Sequence, residues 1–339
     1  MSQKALDLAR GCRRVNVCIA KHGEIGRNGK VLLKQKRLEW WRFVTPRYWL
    51  IWGALALLRL IVLLPYTWQC ALGRVTGRLM GRLARRRRKI ALVNLTICFP
   101  DLDDTARQEL LRKHFESIGI SLIDMAICWW GNDRRLKSIC QVEGLDYLNA
   151  AQAQGHGVLL FVGHFTSLEL VARLLSLHIP DIRFIFRRHN NPLVDAIQYA
   201  AHLRHVEEVI PNSDTRGMIK ALRSRRTLYY LPDQDYHGKL STFVSFFGHD
   251  ASTTTATTQL ARRTGAAVVP MMPMRLPGNA GYLLNFYPPL DPFPGEDEVA
   301  DTQLMMSVLE DQIRLGPEQY LWVHRRFKSR PTGEASPYL

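Results

Sequence analysis

His164 and Glu169 stand five positions apart just after the apolar run Val158–Val162, and a histidine and a carboxylate so placed could do general-base chemistry. The run is short, rich in branched residues and led in by Gly155 and Gly157, so it reads as a buried strand. Gly163 permits a tight turn after it. Thr166 and Ser167 are N-cap candidates for a helix that would carry Glu169 in its first turn. The pair would then lie at the carboxyl edge of a sheet, where open α/β folds place their chemistry. The same residues could equally be a surface histidine in a strand–helix loop. With 11 histidines and 30 acidic residues in 339, about one His-x4-Asp/Glu spacing is expected by chance, and two occur. The second, His202 with Glu207, lies in a helical-looking segment, where five positions turn the side chains about 140° apart. Context selects His164.

Further polar residues follow other apolar runs. Arg187 and Arg188 come after Phe184–Phe186, and Asp233 and Asp235 come after Tyr229–Leu231. If the strands are parallel, all converge beside His164. Arginines there suit phosphate, through charge-assisted bidentate bonds, though a surface ion pair would use the same residues. Asp233-Gln-Asp235 lacks a nearby histidine or third acid, so no metal site is expected. No Walker loop, dinucleotide glycine pattern, G-x-S-x-G elbow or H-E-x-x-H is present. Ser252–Thr258 reads as a small-residue helix packed on the sheet rather than as a site. Histidine plus carboxylate without a serine or cysteine nucleophile points to general-base activation of an acceptor hydroxyl, and the arginines and an apolar anchor point to a phosphorylated lipid as acceptor.

The elements that must hold these residues begin after Val142, where short strands and helices alternate. Strands are expected at Val158–Val162, Arg183–Phe186, Glu208–Ile210, Thr227–Leu231, Ala267–Met271 and Tyr282–Tyr287. Helices are expected at Ser167–Leu177, Pro192–Leu203, Thr215–Ser224, Thr253–Thr264 and Val299–Leu315. The fold class is α/β, a mostly parallel sheet flanked by helices, with an N-terminal membrane-anchor helix and a helical, membrane-facing segment. Residues 1–38 read as a basic, disordered extension, 39–68 as the anchor, 69–141 as the helical segment, 142–331 as the α/β domain and 332–339 as a loose tail. The anchor rests on Tyr48–Tyr66, 19 residues long and near the length of a transmembrane helix. Ten strong aliphatics at about −0.5 kcal/mol each outweigh Arg59 at about +3 kcal/mol. A buried core helix and a shallow monotopic insertion are the alternatives. Arg74, Arg78 and Arg82 share one face of the helical run that follows, suited to anionic headgroups. Thr105–Trp130 reads as two helices.

The formal net charge of +16 calls for an anionic partner: nucleic acid, anionic lipid or an acidic protein. The six cysteines form no C-x-x-C pair, which argues against a zinc site or a disulfide framework.

Together these residues resemble the lysophospholipid acyltransferase superfamily, whose signature is His-x4-Asp/Glu. More closely, the chain is similar to the Gram-negative lipid A late acyltransferases, the lauroyl/myristoyl enzymes. The matching stretches are Pro46–Trp49, Asn94–Pro100, His164–Glu169, Arg187 with Asn191–Asp195, Gly217–Leu222, Pro232–Tyr236 and Pro317–Lys328, spread over residues 46–331. The resemblance implies an acyl-acyl carrier protein donor, a Kdo-lipid A precursor as acceptor, contact with membrane lipids, and esterification of a 3-hydroxyacyl hydroxyl. It implies His164 as general base, Glu169 fixing the imidazole tautomer, Arg187 holding an acceptor phosphate or developing charge, and Asp233 shaping the acceptor site. No cofactor and no nucleic acid is implied, and the location would be the bacterial inner membrane, with the site at the cytoplasmic face. The first 40 or so residues have no counterpart in the family pattern. Rival readings are an acyltransferase for another acceptor, such as a lysophospholipid, and a basic, non-catalytic nucleic-acid-binding membrane protein.

Overall fold

The structure, a computed structural model, describes residues 40–338. The basic extension expected at 1–38 lies outside them. The described chain opens with four helices, α1 (Trp49–Ile61), α2 (Tyr66–Leu83), α3 (Arg85–Cys98) and α4 (Asp104–Trp130), then the short α5 (Asp133–Ser138). After this come β1 (Cys140–Glu143), α6 (Leu145–Ala153), β2 (Val158–Phe161), α7 (Leu168–Ser176), β3 (Ile182–Phe186), α8 (Pro192–His202), β4 (Val209–Pro211), α9 (Thr215–Arg223) and β5 (Thr227–Tyr230). A hairpin, β6 (Ser241–Phe246) and β7 (His249–Thr254), leads into α10 (Ala256–Thr264), β8 (Ala267–Arg275), β9 (Tyr282–Phe286) and α11 (Glu298–Leu315).

Seven strands form one sheet in the order β1-β9-β8-β2-β5-β3-β4. All neighbours are parallel except β8 and β9, which run antiparallel through the short turn at Pro277–Asn279. The expected α/β class with a mostly parallel sheet is therefore present. β2 lies between β8 and β5 and is buried along its whole length, which is why its sequence is continuously apolar. Its alternate residues feed two cores. Val158 and Leu160 pack with α7 and the second half of α4, whereas Leu159 and Phe161 pack with α3, α9, α10 and α11.

The anchor region differs from expectation. α1 has 13 residues, about 20 Å of helix against a hydrocarbon core of about 30 Å. Among the described residues no helix is long and apolar enough to cross a membrane, so the expected transmembrane helix is not formed. The break after Ile61 has a local cause. The Gln69 side-chain amide donates to the carbonyls of Ile61, Val62 and Leu64, and Arg135 donates to those of Val62 and Leu64. These carbonyls are held in a turn, and Pro65 then starts α2 in a new direction.

α2 lies backbone to backbone on α4. Gly73 and Gly77 face it, and an added Cβ would stand 2.7 Å from the Ile120 Cα and 2.0 Å from the Phe115 carbonyl oxygen. Gly119 on α4 answers them, with Gly73 O 2.1 Å from its would-be Cβ. Away from this seam α1, α2 and the turn between them expose apolar side chains: Leu50 is 86% exposed, Leu63 69% and Leu83 72%. The two helices expected within Thr105–Trp130 are one 27-residue helix, α4, started by Asp103, whose side chain accepts from the Ala106 amide. In the tail expected to be loose, Tyr338 is buried, and its hydroxyl bonds Asn94 and accepts from the Phe327 amide.

Buried histidines make this fold sensitive to acid. His114 on α4 donates Nδ1–H to the Glu318 carbonyl at 3.1 Å, and its Nε2 is buried without a partner. Burial pushes it down to about 4 from an ordinary 6.5, and burial also brings His205 and His324 to about 4. Each is therefore neutral in the fold and readily protonated once unfolded. Their stabilisation is complete above pH 6.5 and is lost as pH falls towards 4, with His114 alone contributing a slope of about 1.4 kcal/mol per pH unit. Urea unfolding at pH 7, 6 and 5 should show falling midpoints. Replacing His114 by Gln should flatten the fall, and equal slopes for both proteins would disprove the assignment to His114.

Candidate active site

β2 and β5 are parallel neighbours in the register Phe161↔Tyr230. His164 lies three residues beyond Phe161, and Asp233 lies three beyond Tyr230, so both leave the sheet at the same level. The Asp233 carboxylate takes three hydrogen bonds, from His164 Nδ1 at 2.5 Å, from the His164 amide at 2.9 Å and from the Tyr320 hydroxyl at 2.8 Å. Asp233 is fully buried. Burial alone would raise its carboxyl, but the His164 charge and these bonds outweigh it and bring it to about 2. With Nδ1 held by this carboxylate, Nε2 is the ring nitrogen left to the cleft.

The loop that carries His164 is fixed by contacts on several sides. The His164 carbonyl accepts from the Leu321 amide, the Thr166 amide donates to the Gln319 carbonyl, and Phe165 forms a bridge with Tyr320. Thr166 Oγ1 meets Ser117 Oγ on α4 at 2.6 Å. Ser117 in turn accepts from Arg275, which is held by Asp124 at 2.6 Å. His324 stands near His164, and its Nε2 accepts from the Asp235 amide at 3.2 Å.

Glu169 occupies the first turn of α7 as expected, but the partner of His164 Nδ1 is Asp233. Both Glu169 oxygens are engaged elsewhere, one accepting from Gln198 at 2.6 Å and the other 2.9 Å from His202 Nε2. Burial would raise this carboxyl; the His202 and Gln198 bonds outweigh it and hold it below the usual range. The expected tautomer-fixing contact from Glu169 is therefore made by Asp233. The physical reason is reach: once α7 begins at Leu168, Glu169 is turned towards α8, and the loop after Gly163 carries the His164 ring to the end of β5. His202, set aside above with Glu207, is thus paired with Glu169.

Arg187 emerges from the end of β3, exposed, and lines the same cleft as His164. That cleft measures about 460 Å³. It continues between α9 and α10, where Thr254 and Ala256 also line it. The Ser252–Thr258 segment thus ends a strand and opens a helix at the cleft, and does not simply pack on the sheet. Tyr320, His324 and Arg263 were not singled out by sequence reasoning. The first two lie in the stretch Pro317–Lys328, which could have marked them.

Residues 38–329 match the family described as bacterial lipid A biosynthesis acyltransferase. A lipid A biosynthesis lauroyltransferase of Escherichia coli (strain K12) is 40% identical over 294 residues, which is 86% of this chain and 96% of that protein. A lipid A biosynthesis palmitoleoyltransferase of the same organism is 38% identical over 298 residues, 88% of this chain and 97% of that one. A solved 1-acyl-sn-glycerophosphate acyltransferase from Thermotoga maritima aligns with a TM-score of 0.33 and 16% identity over 69% of this chain and 98% of its own. That likeness is too loose to carry an argument.

Proposed function

Because this chain belongs to the bacterial lipid A biosynthesis acyltransferase family, we propose that it moves a lauroyl chain from an acyl-acyl carrier protein thioester to the hydroxyl of a 3-hydroxyacyl chain on a Kdo-bearing lipid A precursor. The family makes it an acyltransferase of lipid A biosynthesis; donor, acceptor position and residue roles are the finer reading. The observation that carries them is His164 with Nδ1 on a buried, anionic Asp233 and Nε2 left to the cleft.

In the reaction His164 Nε2 takes the acceptor's hydroxyl proton as the oxygen attacks the thioester carbonyl. Asp233 stabilises the imidazolium that forms. The tetrahedral intermediate collapses, the C–S bond breaks, and the thiolate leaves with the proton from Nε2. The products are an ester and a free thiol, and no cofactor takes part. Arg187 holds an acceptor phosphate or the developing oxyanion. Glu169 supports the site through His202 and α8, and Asp233, read from sequence as shaping the acceptor site, orients the base.

The open apolar face of α1 and α2 supports a monotopic seat on the cytoplasmic side of the inner membrane. Arg74, Arg78 and Arg82 run along one border of that face, at headgroup level. The lauroyl assignment follows the relative at 40% identity over the palmitoleoyl one at 38%, and the test decides between them. Mass spectrometry of lipid A from cells with and without the gene should show one lauroyl group missing. A missing palmitoleoyl group would change the donor. Intact lipid A with altered phospholipids would overturn the acceptor.

A further inference from the structure

The cleft at His164 does not end there. It runs on between α9 and α10 across one face of the sheet. The lining residues are Thr215, Met218 and Ile219 on α9, and Gln259, Leu260 and Arg263 on α10, each set spaced three and four apart along a single helix face. From Ala256 at the catalytic end to Arg263 is about 10 Å of helix. Helical side chains lean towards the N-terminus, so Arg263 leans back along the groove towards Gln259. The backbone of Arg263 lies by the opposite edge of the sheet, next to Gly265, whose neighbour is His156 at the start of β2.

Cations without carboxylate partners gather beside the Arg263 end of the groove. Arg223 donates to the Arg263 carbonyl at 3.2 Å, and Lys220, Arg223, Arg225 and Arg263 are all exposed. Among the described residues none of the four has a salt-bridge partner. Arg225 has φ 59°, a left-handed backbone that glycine would adopt at lower cost, so the turn carries its cation at some strain. The groove lies on the sheet face covered by α9, α10 and α11. α1 packs with the core on the other face, through Leu55 and Val62, whereas Met80 of α2 packs on the same side as the groove helices.

We propose that the groove between α9 and α10 is the donor's entrance: it takes the phosphopantetheine arm of an acidic carrier protein, with Arg263 on the arm's phosphodiester and Lys220, Arg223 and Arg225 on the carrier's acidic surface. This rests on the thioester donor proposed above. The lining suits an amide-bearing arm better than a bare alkyl chain, because Asn212, Thr215, Thr254 and Gln259 alternate with Met218 and Leu260. Another basic cavity, lined by Arg82, Arg85 and Lys89, lies beside the apolar stripe of α2 and does not open to His164. It belongs to the membrane side.

Kinetics of full-length protein in matched detergent test this. With carrier-linked donor, Arg223→Gln combined with Arg225→Gly should raise KM about tenfold with kcat within about twofold, and should weaken the dependence of kcat/KM on salt. The glycine relieves the backbone at 225, so the variant keeps its fold. With acyl-coenzyme A, which has the arm and phosphates but no protein, the same variant should keep its KM, whereas Arg263→Gln should raise KM for both donors. Arg82→Gln with Arg85→Gln should leave donor KM unchanged and weaken binding to vesicles containing phosphatidylglycerol. Unchanged carrier KM in the 223/225 variant, or a rise confined to the 82/85 variant, would overturn the assignment. A wild-type enzyme that uses acyl-coenzyme A and ignores the carrier would instead overturn the donor reading itself.

Discussion

His164→Ala should lower kcat by about 10²–10⁴-fold while the protein stays folded, and Asp233→Asn should fall in the same range. Asn keeps the size of Asp233 but removes the anion that faces the imidazolium in the transition state. The stronger test is the double variant. Groups that act as one unit are not additive, so His164→Ala with Asp233→Asn should be no slower than His164→Ala alone. Glu169→Gln disturbs His202 and Gln198, with Nδ1 of His164 still on Asp233. Its loss should therefore multiply with that of His164→Ala. If Glu169→Gln proves to be the silent member of the double variant and Asp233→Asn the multiplying one, Glu169 replaces Asp233 on the ring during turnover.

The second large effect is on stability. Gly77→Ala should cost about 3 kcal/mol or more, or release α2 from α4, because the new Cβ meets backbone that no rotamer can move: Phe115 O at 2.0 Å and Glu116 Cα at 2.8 Å. Gly53→Ala on α1 is the control of opposite sign. Nothing lies within 4 Å of its added Cβ, so removing a helix glycine should stabilise by roughly 0.5–1 kcal/mol. Thermal unfolding in detergent reads both. Equal melting points for Gly77→Ala and wild type would mean that the α2–α4 seam opens freely in solution.

The central sheet was legible because burial on both faces leaves a plain mark: Val158–Phe161 and Thr227–Tyr230 are apolar or β-branched throughout. The site was legible in part. His164 and Asp233 were each recognised as following a strand, yet their pairing depends on β2 and β5 being neighbours, and strand order is a property of the folded chain, with the partners 69 positions apart. Glu169 shows the converse, since its spacing from His164 matched a pattern while its contacts run through space to α8. The hairpin of β6 and β7 was missed because His249–Thr254 contains one apolar residue and so no alternation. Apolar length alone suggested a span at Tyr48–Tyr66. What ends that helix is Gln69 and Arg135, and Arg135 comes from a helix far along the chain. The glycines at 73, 77 and 81 were in plain view at every fourth position, and their meaning required the facing Gly119.

Tyr320, which holds Asp233, and Leu321, which binds the His164 carbonyl, belong to a segment made after every strand of the sheet. β1 likewise waits for β9 before it has a neighbour. On the ribosome, the apolar helices α1 and α2 thus emerge early, and the residues that hold His164 and Asp233 emerge late. For most of its synthesis the nascent chain carries the exposed apolar surface without a finished cleft. The order of translation thus makes the His164–Asp233 pair one of the last features of the fold to be locked.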